Sequence, residues 1–330
     1  MPAAPSPALL GRALEPVEGR LGLLGPELRR WLARPGSALG PVVDRLTSAT
    51  TGKRLRPGLV LLFADVAAAR PEALTAAALV ELVHAGSLYH DDVIDGAVQR
   101  RGVPSANAEF GVPMAITGGD YLLARSSAAA ASLGTDVATW AAETVTELCR
   151  GEAEETAVGW CNDRSEEHYR AAVEGKTGSL MALACRLGAW CRGASASESE
   201  RAARAGLELG VAYQVVDDLL DLCGPVEELG RPPGTDLAQG VTTLPVILGL
   251  CEDPRLLAGL PGEPVAAVRA VASRLAGTGA LDATLAELDR TLARSRAAAR
   301  GIPGEDAVEA LGRWLLARAD VACRAVGPSC

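Results

Sequence analysis

An all-α fold is predicted for this 330-residue chain by three observations. Hydrophobic residues make up 48% of it but aromatic ones only 3%, so its core is mostly alanine, leucine and valine, which suit close-packed helices better than a sheet. The chain reads as helical almost throughout, with no alternating strand pattern of useful length. No internal repeat of about 20–50 residues is present, in keeping with a single all-α domain.

Taken in order, residues 1–8 are rich in Pro, Ala and Ser and are expected to be disordered, leaving residues 9–330 as one domain. An amphipathic stretch over residues 9–31 is interrupted near Pro16 and at Gly25–Pro26. A short helix precedes Thr50, followed by the loop TTGKRLR. Pro57 suits the first turn of an apolar helix that should end near Arg70. A helix from about Glu72 carries the first acidic cluster, and the turn-rich RGVPSANAEFGVP leads to a helix opening at Asp120, whose side chain can cap it. Residues 136–158 form a further helix, and WCNDRS leads to a short one. Lys176 and Thr177 should begin the next, which runs through Trp190. GASASESE is a polar linker into the second cluster helix. Residues 224–240 form the longest irregular stretch, of a length often found in lids. Four helices follow Thr242, separated by GLPGEP, GTG and GIPGED.

Composition narrows the function. A net charge of −9 argues against nucleic acid as a partner. Eight cysteines without CxxC spacing and only three histidines argue against a zinc site or a disulfide framework, and fit a reduced, cytoplasmic protein. No apolar run reaches the roughly 18 residues of a membrane span. The N-terminus lacks the charged and apolar regions of a signal peptide.

The chemistry is concentrated in two stretches. Residues 81–102, ELVHAGSLYHDDVIDGAVQRRG, carry Asp91, Asp92 and Asp95, with Arg100 and Arg101 just beyond. At about 100° per residue, Asp91 and Asp95 share a helix face, and His84 lies on the same stripe. Carboxylates at i and i+4 repel on a bare helix, and an oxygen-seeking divalent cation turns that repulsion into a binding site. The arginines suit an anion sharing the metal, so the cluster reads as a diphosphate site. An isolated DDxxD is more often a solvated helix end, but residues 206–224, GLELGVAYQVVDDLLDLCG, repeat the spacing with Asp217, Asp218 and Asp221. Gln214, Asp218 and Asp221 share a stripe there. Two such helices facing across a bundle can build one metal site.

The 32 basic residues include only two lysines, Lys53 in GKRLRP and Lys176 in EGKTGSL. Codon bias accounts for abundant arginine. Retention of lysine at two glycine-flanked turns points to compact ammonium contacts with phosphate.

The motifs GKRLRP, HAGSLYHDDVIDGAVQRRG, GDYLLA, KTG, YQVVDDLLD and GTDLAQGVTTLP occur in the order and approximate spacing of the trans-prenyltransferases, and residues 52–250 resemble that polyprenyl diphosphate synthase family. The resemblance implies an isoprenoid synthase-type helical bundle around a central cavity, usually a homodimer. It also implies Mg²⁺-dependent head-to-tail condensation of isopentenyl diphosphate with an allylic diphosphate. By resemblance the six aspartates bind Mg²⁺. Arg100, Lys176, Thr177 and Gln214 resemble groups that bind the allylic diphosphate. Lys53, Arg56, His84 and Arg101 resemble the isopentenyl diphosphate pocket. Where the family has a lysine in a GKxT context this chain has Val241, and Arg231 in GRPPGTD matches the other basic position of that loop.

In short-chain members of the family an aromatic residue near position 86 blocks the product tunnel, whereas Gly86 and Ser87 are small here. Gly86 lies about 7.5 Å below Asp91, with Leu82 and Leu79 at about 13 and 18 Å on the same face. A medium- to long-chain all-trans polyprenyl diphosphate is therefore expected. The alternatives are a shorter-chain farnesyl or geranylgeranyl diphosphate synthase, a class I terpene cyclase, and a non-catalytic partner subunit. The intact second cluster opposes the cyclase, and the full set of aspartates and basic residues opposes the partner subunit.

Overall fold

The computed structural model describes residues 7–33, 35–48, 53–65, 70–100, 102–158, 164–225, 233–260 and 264–324. Helix α1 (Pro7–Leu14) passes through a 3-10 turn, Glu15–Val17, into α2 (Glu18–Leu21) and α3 (Leu24–Trp31). Of the eight N-terminal residues expected to be disordered, Pro7 and Ala8 are helical, and residues 1–6 lie outside the described part. Pro16 marks the predicted break. Pro26 falls in the first turn of α3, where a missing N–H is tolerated.

After α4 (Gly36–Ser48) comes α5 (Leu55–Phe63), with Pro57 in its first turn as expected. It ends at Phe63 rather than near Arg70, and Asp65, with φ of 56°, turns the chain out of the helix. Helix α6 (Glu72–Ile94) carries the first cluster. A hairpin absent from the sequence reading follows, with β1 (Gln99–Arg100) antiparallel to β2 (Val103–Pro104). Strands of two residues are too short to show alternation. After α7 (Ala106–Phe110), capped by Ser105, α8 (Val112–Leu133) begins at Val112 rather than at Asp120. Gly111, with φ of 84°, separates the two helices, so the break falls there.

Helix α9 (Thr135–Val158) precedes α10 (Glu166–Val173), which Ser165 caps. A π turn, Glu174–Gly178, joins α10 to α11 (Ser179–Cys191) without a break, so Lys176 and Thr177 sit inside a continuous helix instead of opening one. A capping box of Ser195 and Glu198 starts α12 (Ala196–Cys223), the second cluster helix. The stretch expected to be irregular contains a short helix, α13 (Thr235–Ala238). The four further helices are α14 (Leu244–Glu252), α15 (Pro264–Leu275), α16 (Ala280–Ala299) and α17 (Glu305–Arg324).

Packing places the clusters. α6 lies on α5, α8 and α11, while α12 lies on α11, the π turn, α16 and α17. α9 packs on α8, α10 and the π turn. Helix α11 thus touches both cluster helices, the π turn bridges α9 and α12, and both clusters sit at the C-terminal ends of their helices. The core holding them is aliphatic, with Ala76, Ala77, Leu79, Leu82, Leu219 and Leu220 fully buried. Each buried leucine contributes about 1.5–3 kcal/mol. No described helix is long and apolar enough to cross a membrane.

Candidate active site

The first cluster divides in two. Asp92 is buried and accepts a 2.7 Å bond from Nε of Arg100, which the hairpin carries back over the end of α6. Burial still pushes the Asp92 carboxyl up, against the pull of Arg100. The carboxylates of Asp91, in the last turn, and Asp95, the C-cap, accept no hydrogen bond and form no ion pair among the described residues. Burial raises Asp91 to about 7 and Asp95 above the usual carboxylate range. For both, Lys176 pulls the other way, and Glu152 adds to the rise.

Lys176 stands between two glutamates of α9, with Nζ 2.7 Å from Glu152 and 2.5 Å from Glu155. Burial alone would lower its ammonium, but Glu155 and Glu152 outweigh burial and hold it above the usual lysine range. Two glycines set this contact. A Cβ on Gly151 would lie 2.4 Å from the backbone nitrogen of Lys176, and one on Gly175 would lie 2.7 Å from the Glu147 carbonyl oxygen. Only bare backbones cross this closely, and the crossing puts Glu152 beside Lys176. A widened turn at this place is common at functional sites.

In the second cluster each aspartate turns a different way. Asp218 accepts bonds from the Tyr169 hydroxyl (2.6 Å) and from Gln214 Nε2 (2.9 Å), and Thr177 donates to Gln214 Oε1 at 2.9 Å. The result is a polar chain from Thr177 through Gln214 and Asp218 to Tyr169. Burial raises Asp218 to about 7 despite these donors, with Glu155 adding to the rise. Glu155 thus lies within electrostatic reach of both Asp95 and Asp218. Asp217 pairs with Arg318 of α17 at 3.0 Å. Asp221 accepts from the Asp236 amide at 3.1 Å and so anchors α13.

Three of the predicted substrate-binding groups, Lys53, Arg56 and His84, make contacts away from the carboxylates. Arg56 Nη1 is 3.2 Å from His84 Nε2, and Lys53 Nζ lies 5.3 Å from the centre of the Trp314 ring. Tyr213 meets Trp314 at 6.1 Å between ring centres. Arg101 and Arg231 lie outside the described residues. Val241 bonds through its amide to the Asp236 carbonyl, and no cation comes from its side chain. Beside it, buried Arg164 donates to the Thr242 carbonyl at 3.1 Å and lies 5.6 Å over the Tyr169 ring.

The space expected beside Gly86 is occupied. A Cβ there would come within 3.0 Å of Leu123 Cγ and 3.2 Å of the Gly119 carbonyl. Glycine stands at this point because α6 and α8 approach closely. Leu82 and Leu79 are fully buried below it, and the Ser87 hydroxyl is turned back onto the His84 carbonyl.

Sequence reasoning missed Glu152, Glu155, Tyr169, Arg164, Trp314 and Arg318. A detectable sign was Glu152 and Glu155 at i and i+3 after a mid-helix glycine. Chemically, the set fits a hard divalent cation. Asp91, Asp95 and Asp218 are oxygen donors that burial leaves short of positive charge. Among the described residues no three such side chains close around one point, so oxygens of a bound anion would complete the shell.

Comparison with known proteins agrees with this chemistry. Residues 39–263 match the polyprenyl synthetase family model. The chain is 37% identical to nonaprenyl diphosphate synthase of Mycobacterium tuberculosis over 81% of its length and 83% of the relative's. It is also 37% identical to heptaprenyl diphosphate synthase component 2 of Geobacillus stearothermophilus, covering 87% and 91%. Its fold superposes on a polyprenyl synthase of Caulobacter crescentus, solved with calcium and isoprenyl diphosphate. The TM-score is 0.83 at 28% identity, covering 95% of this chain and 97% of that one.

Proposed function

The chain belongs to the polyprenyl synthetase family, and we propose that it is a prenyltransferase condensing isopentenyl diphosphate head-to-tail with an allylic diphosphate in an Mg²⁺-dependent reaction. The product is a medium- to long-chain polyprenyl diphosphate, as in the nonaprenyl, heptaprenyl and decaprenyl synthases it resembles. In the proposed form, residues 9–330 act as one unit, in the cytoplasm, as a homodimer.

The reaction breaks an allylic C–O bond, with the electron pair leaving on diphosphate. The isopentenyl double bond supplies the electrons of the new C–C bond, and loss of a proton restores an alkene. Bound Mg²⁺ supplies the positive charge that a departing diphosphate requires. Asp91 and Asp95 would hold it, with Asp92, Asp217, Asp218 and Asp221 joining once their present partners let go. Lys176, Thr177, Gln214 and Arg100 orient the allylic diphosphate. Lys53, Arg56 and His84 hold the other substrate beside the Trp314 and Tyr213 rings. The observation carrying this reading is that one ion pair links the two helix ends: Lys176 acts on Asp91 and Asp95 of the first cluster, and its partner Glu155 acts on Asp218 of the second.

The test is incubation of the purified chain with isopentenyl diphosphate and allylic primers, with and without Mg²⁺, followed by chain-length analysis of the dephosphorylated products. Product at undiminished rate in EDTA, with bound metal absent, would overturn the metal assignment. The relative named component 2 favours a second reading, in which a partner component is required. Activity of the chain alone excludes it.

A further inference from the structure

One buried ion pair spans the boundary between the second acidic cluster and the basic pocket. Arg318 is 3% exposed and donates from Nη1 to Asp217 Oδ1 at 3.0 Å. Its guanidinium also lies 5.1 Å over the Trp314 ring, the ring that Lys53 approaches at 5.3 Å. The Tyr213 hydroxyl, one turn before Asp217 on α12, is held above the usual tyrosine range chiefly by the charge of Asp217, to which it also hydrogen-bonds, while Arg318 and Arg56 pull the other way. Three cations from two parts of the chain, Lys53 and Arg56 from one loop and helix start and Arg318 from α17, therefore lie about one aromatic pair, while the carboxylate on Arg318 belongs to the second DDxxD cluster. The guanidinium faces one pocket and its partner the other.

This arrangement sets up a competition. The Asp217 side chain is 36% exposed, so incoming charge can reach it. An anion entering beside Lys53 meets the like charge of Asp217 and must compete with it for Arg318. A divalent cation at the second cluster must compete with Arg318 for Asp217. Each ligand removes the other's competitor.

We propose that Arg318 and Asp217 exchange counter-ions, which makes Arg318 a positioning residue that couples cation binding at the second cluster to diphosphate binding in the Lys53–Arg56 pocket. The proposal rests on the functional reading above and deepens it. Such coupling is reciprocal, so Mg²⁺ should tighten isopentenyl diphosphate by the same factor as isopentenyl diphosphate tightens Mg²⁺, about tenfold on the usual scale.

The test is calorimetric titration of isopentenyl diphosphate into the full chain with and without Mg²⁺, for the parent, Asp217→Asn, Arg318→Gln and the double variant. Chelation of Mg²⁺ by the ligand in solution is the same for all four and cancels in the comparison. Asp217→Asn keeps the shape and removes the competing charge, so it should raise metal-free affinity for isopentenyl diphosphate several-fold and abolish the coupling. A pair with a merely structural role gives unchanged or weaker metal-free affinity. The double variant should show no more loss of coupling than either single change. If Asp217→Asn, folded by circular dichroism, binds no tighter without metal and keeps the parent's coupling factor, the exchange is wrong. If the parent binds neither Mg²⁺ nor isopentenyl diphosphate, the functional reading itself fails, and the exchange with it.

Discussion

The two acidic clusters share a spelling but not a state. On α6, the carboxylates of Asp91 and Asp95 have no hydrogen bond or ion pair among the described residues, and only that of Asp92 is tied, to Arg100. On α12 all three aspartates are engaged, with Arg318, with Tyr169 and Gln214, and with the backbone entering α13. The difference lies in what each helix end packs against. α6 ends at a short hairpin that returns one arginine. α12 ends among α10, α13, the π turn and α17, each of which offers a donor. The first cluster stores uncompensated charge, whereas the second is part of the scaffold and must be partly dismantled to bind a cation.

The largest expected effect follows from that contrast. Asp91→Asn should lower turnover by about a hundredfold or more, since it removes a donor for charge neutralisation in the transition state. It should also raise the melting temperature of metal-free protein, because repulsion and desolvation are relieved. Asp218→Ala should lose turnover equally but destabilise by about 1–3 kcal/mol, because it leaves the buried Tyr169 hydroxyl without its acceptor. Steady-state kinetics with chemical denaturation measures both. Equal stability changes of one sign would erase the distinction.

A smaller effect is expected at Lys176. Lys176→Arg keeps the charge but cannot place a compact ammonium between Glu152 and Glu155. About a tenfold loss in kcat/KM for the allylic diphosphate is expected, with isopentenyl diphosphate less affected. The matching Lys53→Arg should invert that pattern, and unchanged kinetics in both would remove the argument from lysine scarcity.

A pH dependence follows from Asp91. Asp91 has a folded-state value of about 7 against 3.8 for an ordinary aspartate, so between these the folded state holds a proton that the unfolded chain has lost. Its contribution is therefore fully present below about pH 4 and is lost as pH rises through about 7. Metal-free parent should melt lower at pH 8 than at pH 5 relative to Asp91→Asn, by a few degrees. A melting difference independent of pH would count against the burial of Asp91.

The smallest effect concerns product length. Leu123 fills the place beside Gly86, so Leu123→Ala should lengthen or broaden the product distribution at a stability cost of about 2 kcal/mol. Gly86→Ala should be poorly tolerated, since its Cβ meets the Gly119 carbonyl as well as Leu123. Unchanged chain lengths in Leu123→Ala would show that the product does not pass this face.

Much of this was legible before any coordinates, because the signals are local. Asp91, Asp92 and Asp95 announce themselves by spacing within one helix, and Gln214 reaches Asp218 across a single turn. The same helical period made the all-α class readable, and proline and glycine marked most of the breaks. It failed where the backbone was unusual, as at the π turn that absorbs Lys176 and at Gly111, where α8 begins early. Sequence alone therefore determined which residues carry charge and on which helix they stand, since helix formation follows from neighbours a few positions apart. Only the tertiary structure decided which charge answers which. Arg318 meets Asp217, Lys176 meets Glu152 and Glu155, and Leu123 meets Gly86 across distant parts of the chain. Such pairs are selected by packing and desolvation, and those act only once the helices have closed on one another.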